Sequence, residues 1–130
     1  MKPPTEREEQ SRLIEWCNYF GVLRWPAVCD QQPHLMTFPI FAISNEYGRN
    51  RKHPGLRAGV PDLFLHVPVG SYHGMFIEMK RTKGGRLSDE QRDNIAWLEE
   101  CGYFCAVCKG ADEAIKAITA YMDCKRKDTK

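Results

Sequence analysis

The chain reads as an α/β sandwich, a small mixed β-sheet flanked by helices. Three observations predict it. Apolar residues recur at helical spacing near the start, past the middle and near the end. Between those segments lie short runs rich in strand formers. The resulting order is helix, strand, hairpin, helix, strand, helix. A hairpin requires an antiparallel pair, and a strand–helix–strand crossover adds a parallel one, expected to be right-handed. At 130 residues the chain allows one domain, 1–130, with a real core.

The first helix is predicted from Thr5, because Thr5-x-x-Glu8 has capping-box form and Pro3-Pro4 lie just outside. It is expected to reach about Phe20 and to end at Gly21. Leu13, Ile14, Cys17 and Phe20 make its apolar stripe; helical steps back along it give Gln10 and Glu6, and a neighbouring track gives Glu9. The register from Val22 to Gln32 is ambiguous. Met36 to Ile43 is rich in strand formers, and Pro39 argues for an edge strand or a late start at Ile40. Ser44 to Gly59 is polar, glycine-bearing, basic and without apolar period, hence a long loop or a partly ordered arm, of a length that is usually functional or mobile. Asp62 to Val67 reads as a strand, and the turn-rich Pro68–Gly74 segment folds it against a second strand ending at Lys80. Lys83-Gly84-Gly85-Arg86 is a basic connection. A helix opens at Ser88, with Ser88-x-x-Gln91 as another capping box, and closes at Gly102. Tyr103 to Cys108 is a strand, about Asp112 to Met122 a last helix, and residues 124–130 a frayed tail.

The chemistry concentrates in two places. Gly59-Val60-Pro61-Asp62-Leu63 is followed, sixteen residues after the aspartate, by Glu78-Met79-Lys80. Alternation in a strand puts Glu78 and Lys80 on one face and Ile77 and Met79 on the other. The hairpin would bring Asp62 beside Glu78, and two carboxylates held that close repel unless a cation lies between them. Oxygen ligands of this kind suit Mg2+ or Mn2+, which share coordination with substrate phosphates. The plainer alternative is a turn aspartate and a solvated Glu–Lys pair. Leu63, Leu65, Ile77 and Met79 weigh against it, since they mark these strands as core, where ionisable groups are scarce unless paired or metal-bound. Gln91 carries two readings: a capping glutamine that needs no further role, or, on one stripe with Ile95 and Leu98, a polar group reaching toward Lys80.

Composition narrows the partners. The apolar share of 42% and charged share of 28% are ordinary for a globular protein. A net charge of +2 makes no global polycation field, so a nucleic-acid surface would come from local basic clusters. These are Arg49, Arg51 and Lys52 in the long loop, Arg57, and then Arg81, Lys83 and Arg86 after Lys80. No apolar run approaches a membrane span and no signal-peptide core opens the chain, so a cytoplasmic location is expected. Of six cysteines, Cys105 and Cys108 form a C-x-x-C, but a strand would aim them at opposite faces, unlike a zinc knuckle. Reduced, mostly buried thiols are expected.

With these residues in hand, the chain resembles the VRR-NUC family, a branch of the restriction-endonuclease-like P-D…(D/E)-x-K nucleases, and is most similar to its stand-alone phage and bacterial members. The likeness rests on an ordered set: Glu6-x-x-x-Gln10, Asn45-x-x-Gly48-Arg49, Gly59-Val60-Pro61-Asp62-Leu63, His73-Gly74-Met75-Phe76-Ile77-Glu78-Met79-Lys80, Ser88-x-x-Gln91 and Gly102-Tyr103. The resemblance implies a restriction-endonuclease-like fold and a Mg2+- or Mn2+-dependent deoxyribonuclease. Asp62, Glu78 and the carbonyl of Met79 would hold the metal, and Glu6, chosen over Glu9 for its spacing from Gln10, would complete the acidic cluster. Lys80 would orient the attacking water, with Gln91 supporting it. Asn45 and the loop and connection basics would contact DNA; Glu46 and Tyr47 depart from the family's loop pattern. A homodimer acting on branched or Holliday-junction DNA, with no small-molecule cofactor, is the expectation. The alternative is a non-catalytic DNA-binding module of the same fold.

Overall fold

A computed structural model of the protein describes residues 2–31, 33, 37–44 and 54–128, with side chains through Cys124. The elements are α1 (Glu6–Trp16), a single π-helical turn (Cys17–Gly21), α2 (Val22–Arg24), α3 (Pro26–Asp30), β1 (Ile40–Ala42), β2 (Leu63–Leu65), β3 (Met75–Lys80), α4 (Asp89–Glu100), β4 (Phe104–Lys109) and α5 (Ala111–Asp128). The sheet order is β1-β2-β3-β4. The β1–β2 and β2–β3 pairs are antiparallel, and β3–β4 is parallel. The mixed sheet between helices is the architecture that the element order predicts.

Both predicted capping boxes form. Thr5 Oγ1 accepts from the Glu8 amide at 3.1 Å while Glu8 accepts from the Thr5 amide at 2.7 Å. Ser88 and Gln91 reciprocate in the same way at 3.1 and 2.9 Å. α4 closes at Gly102, whose φ of +97° lets its amide bond to the Glu99 carbonyl and that of Tyr103 to the Leu98 carbonyl.

Two boundaries differ from expectation. Gly21 does not end the first helix. It is helical at φ −61° and is small because the ring of Phe38 lies where a Cβ would be, 2.8 Å away. The π turn just before it inserts an extra residue and rotates the following positions. Phe20, expected on the buried stripe, is therefore 51% exposed. The real break comes at Trp25, which leaves the helical region at φ −124° and ψ 64° ahead of Pro26. β1 takes the late start at Ile40. α5 continues to Asp128 rather than fraying from 124, in keeping with a segment free of glycine and proline.

The core lies on one side of the sheet. Met75, Ile77 and Met79 of β3 are fully buried together with Leu63 and Leu65 of β2, Leu13 and Cys17, and Ala114, Ile118 and Met122 of α5. The Tyr121 hydroxyl donates to the Val67 carbonyl at 2.6 Å and ties α5 to the hairpin. On the opposite face, Phe41, Phe64 and Phe76 are cross-strand partners, the last two stacked at 4.4 Å. Cys105 pairs with Phe76 on that face and Cys108 with Met79 on the core face, as strand alternation requires.

Candidate active site

Glu78 and Lys80 sit on the face of β3 away from the core, yet both are buried, at 2% and 7% exposure. What buries them is α4, which lies over β4 and brings Gln91 across. The Lys80 Nζ donates to Gln91 Oε1 at 3.0 Å and stands 3.4 Å from Glu78 Oε2. The Gln91 Nε2 donates to Glu78 Oε2 at 3.1 Å. Gln91 Oε1 also accepts from the Ser88 amide. The two readings of this glutamine are thus both true at once: one side chain caps α4 and cross-links the glutamate and the lysine.

Asp62 reaches the same place from the next strand. β2 begins at Leu63, paired with Ile77, so β3 extends past it and leaves Met79 without a strand partner on that side. Asp62 takes the position, its Oδ2 accepting from the Met79 amide at 2.8 Å. A residue in a strand points its N–H and C=O the same way. The Met79 carbonyl therefore faces the edge that Asp62 occupies, while the Lys80 carbonyl faces the other and accepts from Gly110 at 2.9 Å. The Met79 side chain is core.

The electrostatics of this cluster are unbalanced. Burial first, and then the neighbouring Asp62 charge, push the Glu78 carboxyl up to about 8, with Lys80 pulling it back down. Glu78 Oε1 is buried with no hydrogen-bond partner among the described residues. A buried, orphaned carboxylate oxygen costs about 1–3 kcal/mol, and a hard divalent cation next to it and Asp62 would satisfy it. The donor set fits such an ion.

The remaining predicted residues fall into three groups. Glu6 is half-buried at the start of α1 and is not brought to Asp62 and Glu78. The acid facing the body is Glu9, 3% exposed, because 9, 13 and 17 are the positions that line up against the core. Its carboxylate fills the space a side chain at Gly110 would need, and Arg12 holds it at 3.2 Å. Among the described residues, no group of three or more His, Cys, Asp or Glu side chains is placed to hold a metal ion. Among the described residues, the acidic pair therefore stands without a third carboxylate. Arg57, Arg81, Lys83 and Arg86 are all exposed, the last three on the connection that leaves Lys80. Asn45, Arg49, Arg51 and Lys52 lie outside the described residues. No described helix is long and apolar enough to cross a membrane.

A solved structure, a VRR_NUC domain protein, superposes with a TM-score of 0.72 over 94% of this chain and 91% of its own, at 26% identity. Curated proteins return no match. The family model of the VRR-NUC domain matches residues 5–112, the span that holds both carboxylates, the lysine and the glutamine. The chain belongs to the VRR-NUC family, whose members are nuclease domains acting on DNA.

Proposed function

We propose that the protein is a Mg2+- or Mn2+-dependent DNA endonuclease whose centre is Asp62, Glu78, Lys80 and Gln91, and that it acts as a homodimer selecting branched or junction DNA by shape. The observation that carries the reading is the convergence of two carboxylates, one of them raised and partly orphaned, on a lysine cross-linked by a glutamine. Asp62, Glu78 and the Met79 carbonyl would hold the metal. The chemistry that such a cation supplies is a lowered water pKa and neutralised phosphoryl oxygens.

The chain's own residues do the rest. Lys80 orients the attacking water and places positive charge where negative charge grows on the phosphate, which is where preorganised electrostatics help most. Gln91, with its Oε1 taken by Lys80 and Ser88, removes the freedom of the long lysine side chain before substrate arrives. Met79 holds Asp62 through its amide, so that the carboxylate is set before an ion binds. Arg81, Lys83 and Arg86 grip backbone phosphates without reading sequence. Two active sites related by a two-fold axis would address two strands of a junction.

The test is incubation with labelled linear, flapped and four-way DNAs, with and without Mn2+. Metal-dependent cleavage of the branched substrates in preference to the linear duplex is expected. Salt-sensitive binding without any metal-dependent product would replace the enzyme with a DNA-binding module.

A further inference from the structure

We infer that Asn94 is a positioning residue that sets where the Asp62 carboxylate stands; the inference rests on the nuclease reading above. Asn94 lies three residues after Gln91 on α4, hence on the same side of the helix. Its Nδ2 donates to the Ala58 carbonyl at 3.2 Å and to the Glu90 carbonyl at 3.1 Å. Both partners are acceptors only, so the amide has a single workable orientation.

Ala58 begins the segment that delivers Asp62. The next residue, Gly59, has φ +86° and lies flat on the first turn of α4. A Cβ there would come within 2.5 Å of the Glu90 carbonyl carbon and oxygen and 2.8 Å of the Gln91 amide nitrogen. Pro61 is fully buried. Residues 58–62 are therefore held on α4 by the Asn94 bond and the Gly59 contact, on β3 by the Met79 amide, and beside β1 by the Ile43 amide, which donates to the Asp62 carbonyl at 2.7 Å. The same helix carries Gln91, which holds Glu78 and Lys80. One rigid element thus indexes both halves of the centre, and such constellations tolerate only about 0.5 Å of error. Without the Asn94 donor, the Ala58 carbonyl loses its anchor to α4, and the N-terminal end of the segment that delivers Asp62 is held there by the glycine contact.

The test uses the full chain with Asn94→Ala, with Asn94→Asp (same shape, no donor) and with Gly59→Ala, which attacks the same clasp from the other side. Thermal unfolding, Mn2+ affinity by calorimetry, and kcat and KM for DNA are measured, with Asp62→Ala as the reference for loss of the site. Both Asn94 variants are expected to stay folded, to bind Mn2+ about tenfold more weakly, and to lose kcat with little change in KM. Raised Mn2+ should restore part of the rate, which a purely structural defect would not allow. Folded Asn94 variants with parental Mn2+ affinity and kcat overturn the inference even if Gly59→Ala does not fold. A parent that cleaves, with Asn94 variants that match it, sinks this inference alone; a parent that neither cleaves nor binds Mn2+ sinks the nuclease reading and this one with it.

Discussion

The two faces of β3 differ more than any other neighbouring regions of the molecule. Residues 75, 77 and 79 are Met, Ile and Met, fully buried against helices and satisfied by contact alone. Residues 78 and 80, one step away on the same backbone, are a glutamate and a lysine that are almost as deeply buried. The core face lowers the free energy of the fold through apolar burial, roughly 25 cal/mol per Å². The other face raises it, since buried charges cost more than their pairing returns. Apolar stabilisation and the proposed chemistry thus fall on opposite sides of one strand. A protein that holds a glutamate with a raised pKa beside an aspartate does so at the expense of the fold, and sites of that kind mark function.

Breaking the polar face should give the largest effect, and on activity. Lys80→Ala is expected to lower metal-dependent cleavage by about 10²–10³-fold or more, measured at a temperature where the far-UV spectrum shows the variant folded. Parental cleavage by the folded variant would remove the lysine from the centre.

Breaking the core face should show the reverse. Ile77→Ala removes a fully buried side chain and is expected to cost about 2–5 kcal/mol in a denaturant titration. Cleavage per folded molecule should survive. A variant of parental stability would mean that the two faces are not divided as described.

Glu78→Gln sharpens the contrast, and its sign follows from linkage. The carboxyl sits at about 8 in the folded chain against 4.5 for its unperturbed form. Whatever it contributes to stability is complete below the lower value and is lost as pH rises through the higher one. The metal-free parent should therefore lose stability between about pH 5 and pH 8 relative to the glutamine variant, by roughly 3–4 kcal/mol. The variant should be the more stable protein at pH 8 and an inactive one. Paired thermal melts at the two pH values in chelator would check this, and parallel curves would refute it.

Much of this could be read before any coordinates. Strand alternation separates Glu78 from Ile77 and Met79 without reference to tertiary structure. The capping boxes at Thr5 and Ser88 are local, made within four residues, and both form. The helix-one acid was not legible in this way. Glu6, Glu9 and Gln10 all lie within one helical turn of one another, and which of them turns inward depends on how α1 docks, a choice that falls on Glu9. Phe20 turns outward for a related reason: a π turn changes the helical phase, and no residue type announces one. Gly21 looked like a terminator because glycine commonly ends helices, yet here it makes room for Phe38, seventeen residues away.

The residue pattern by itself determined the element types, the mixed sheet and the presence of two acids and a lysine on the non-core side of a hairpin, because periodicity and capping act over a few residues. Only the tertiary structure decided that Gln91 serves cap and candidate site together, that Asp62 hangs from the Met79 amide beyond the end of β2, and that one Glu78 oxygen has no hydrogen-bond partner among the described residues. Those facts depend on how far one strand overhangs another and on where a helix 11 to 13 residues downstream comes to rest. Such distances are settled by packing of the whole domain, which no local stretch of residues encodes.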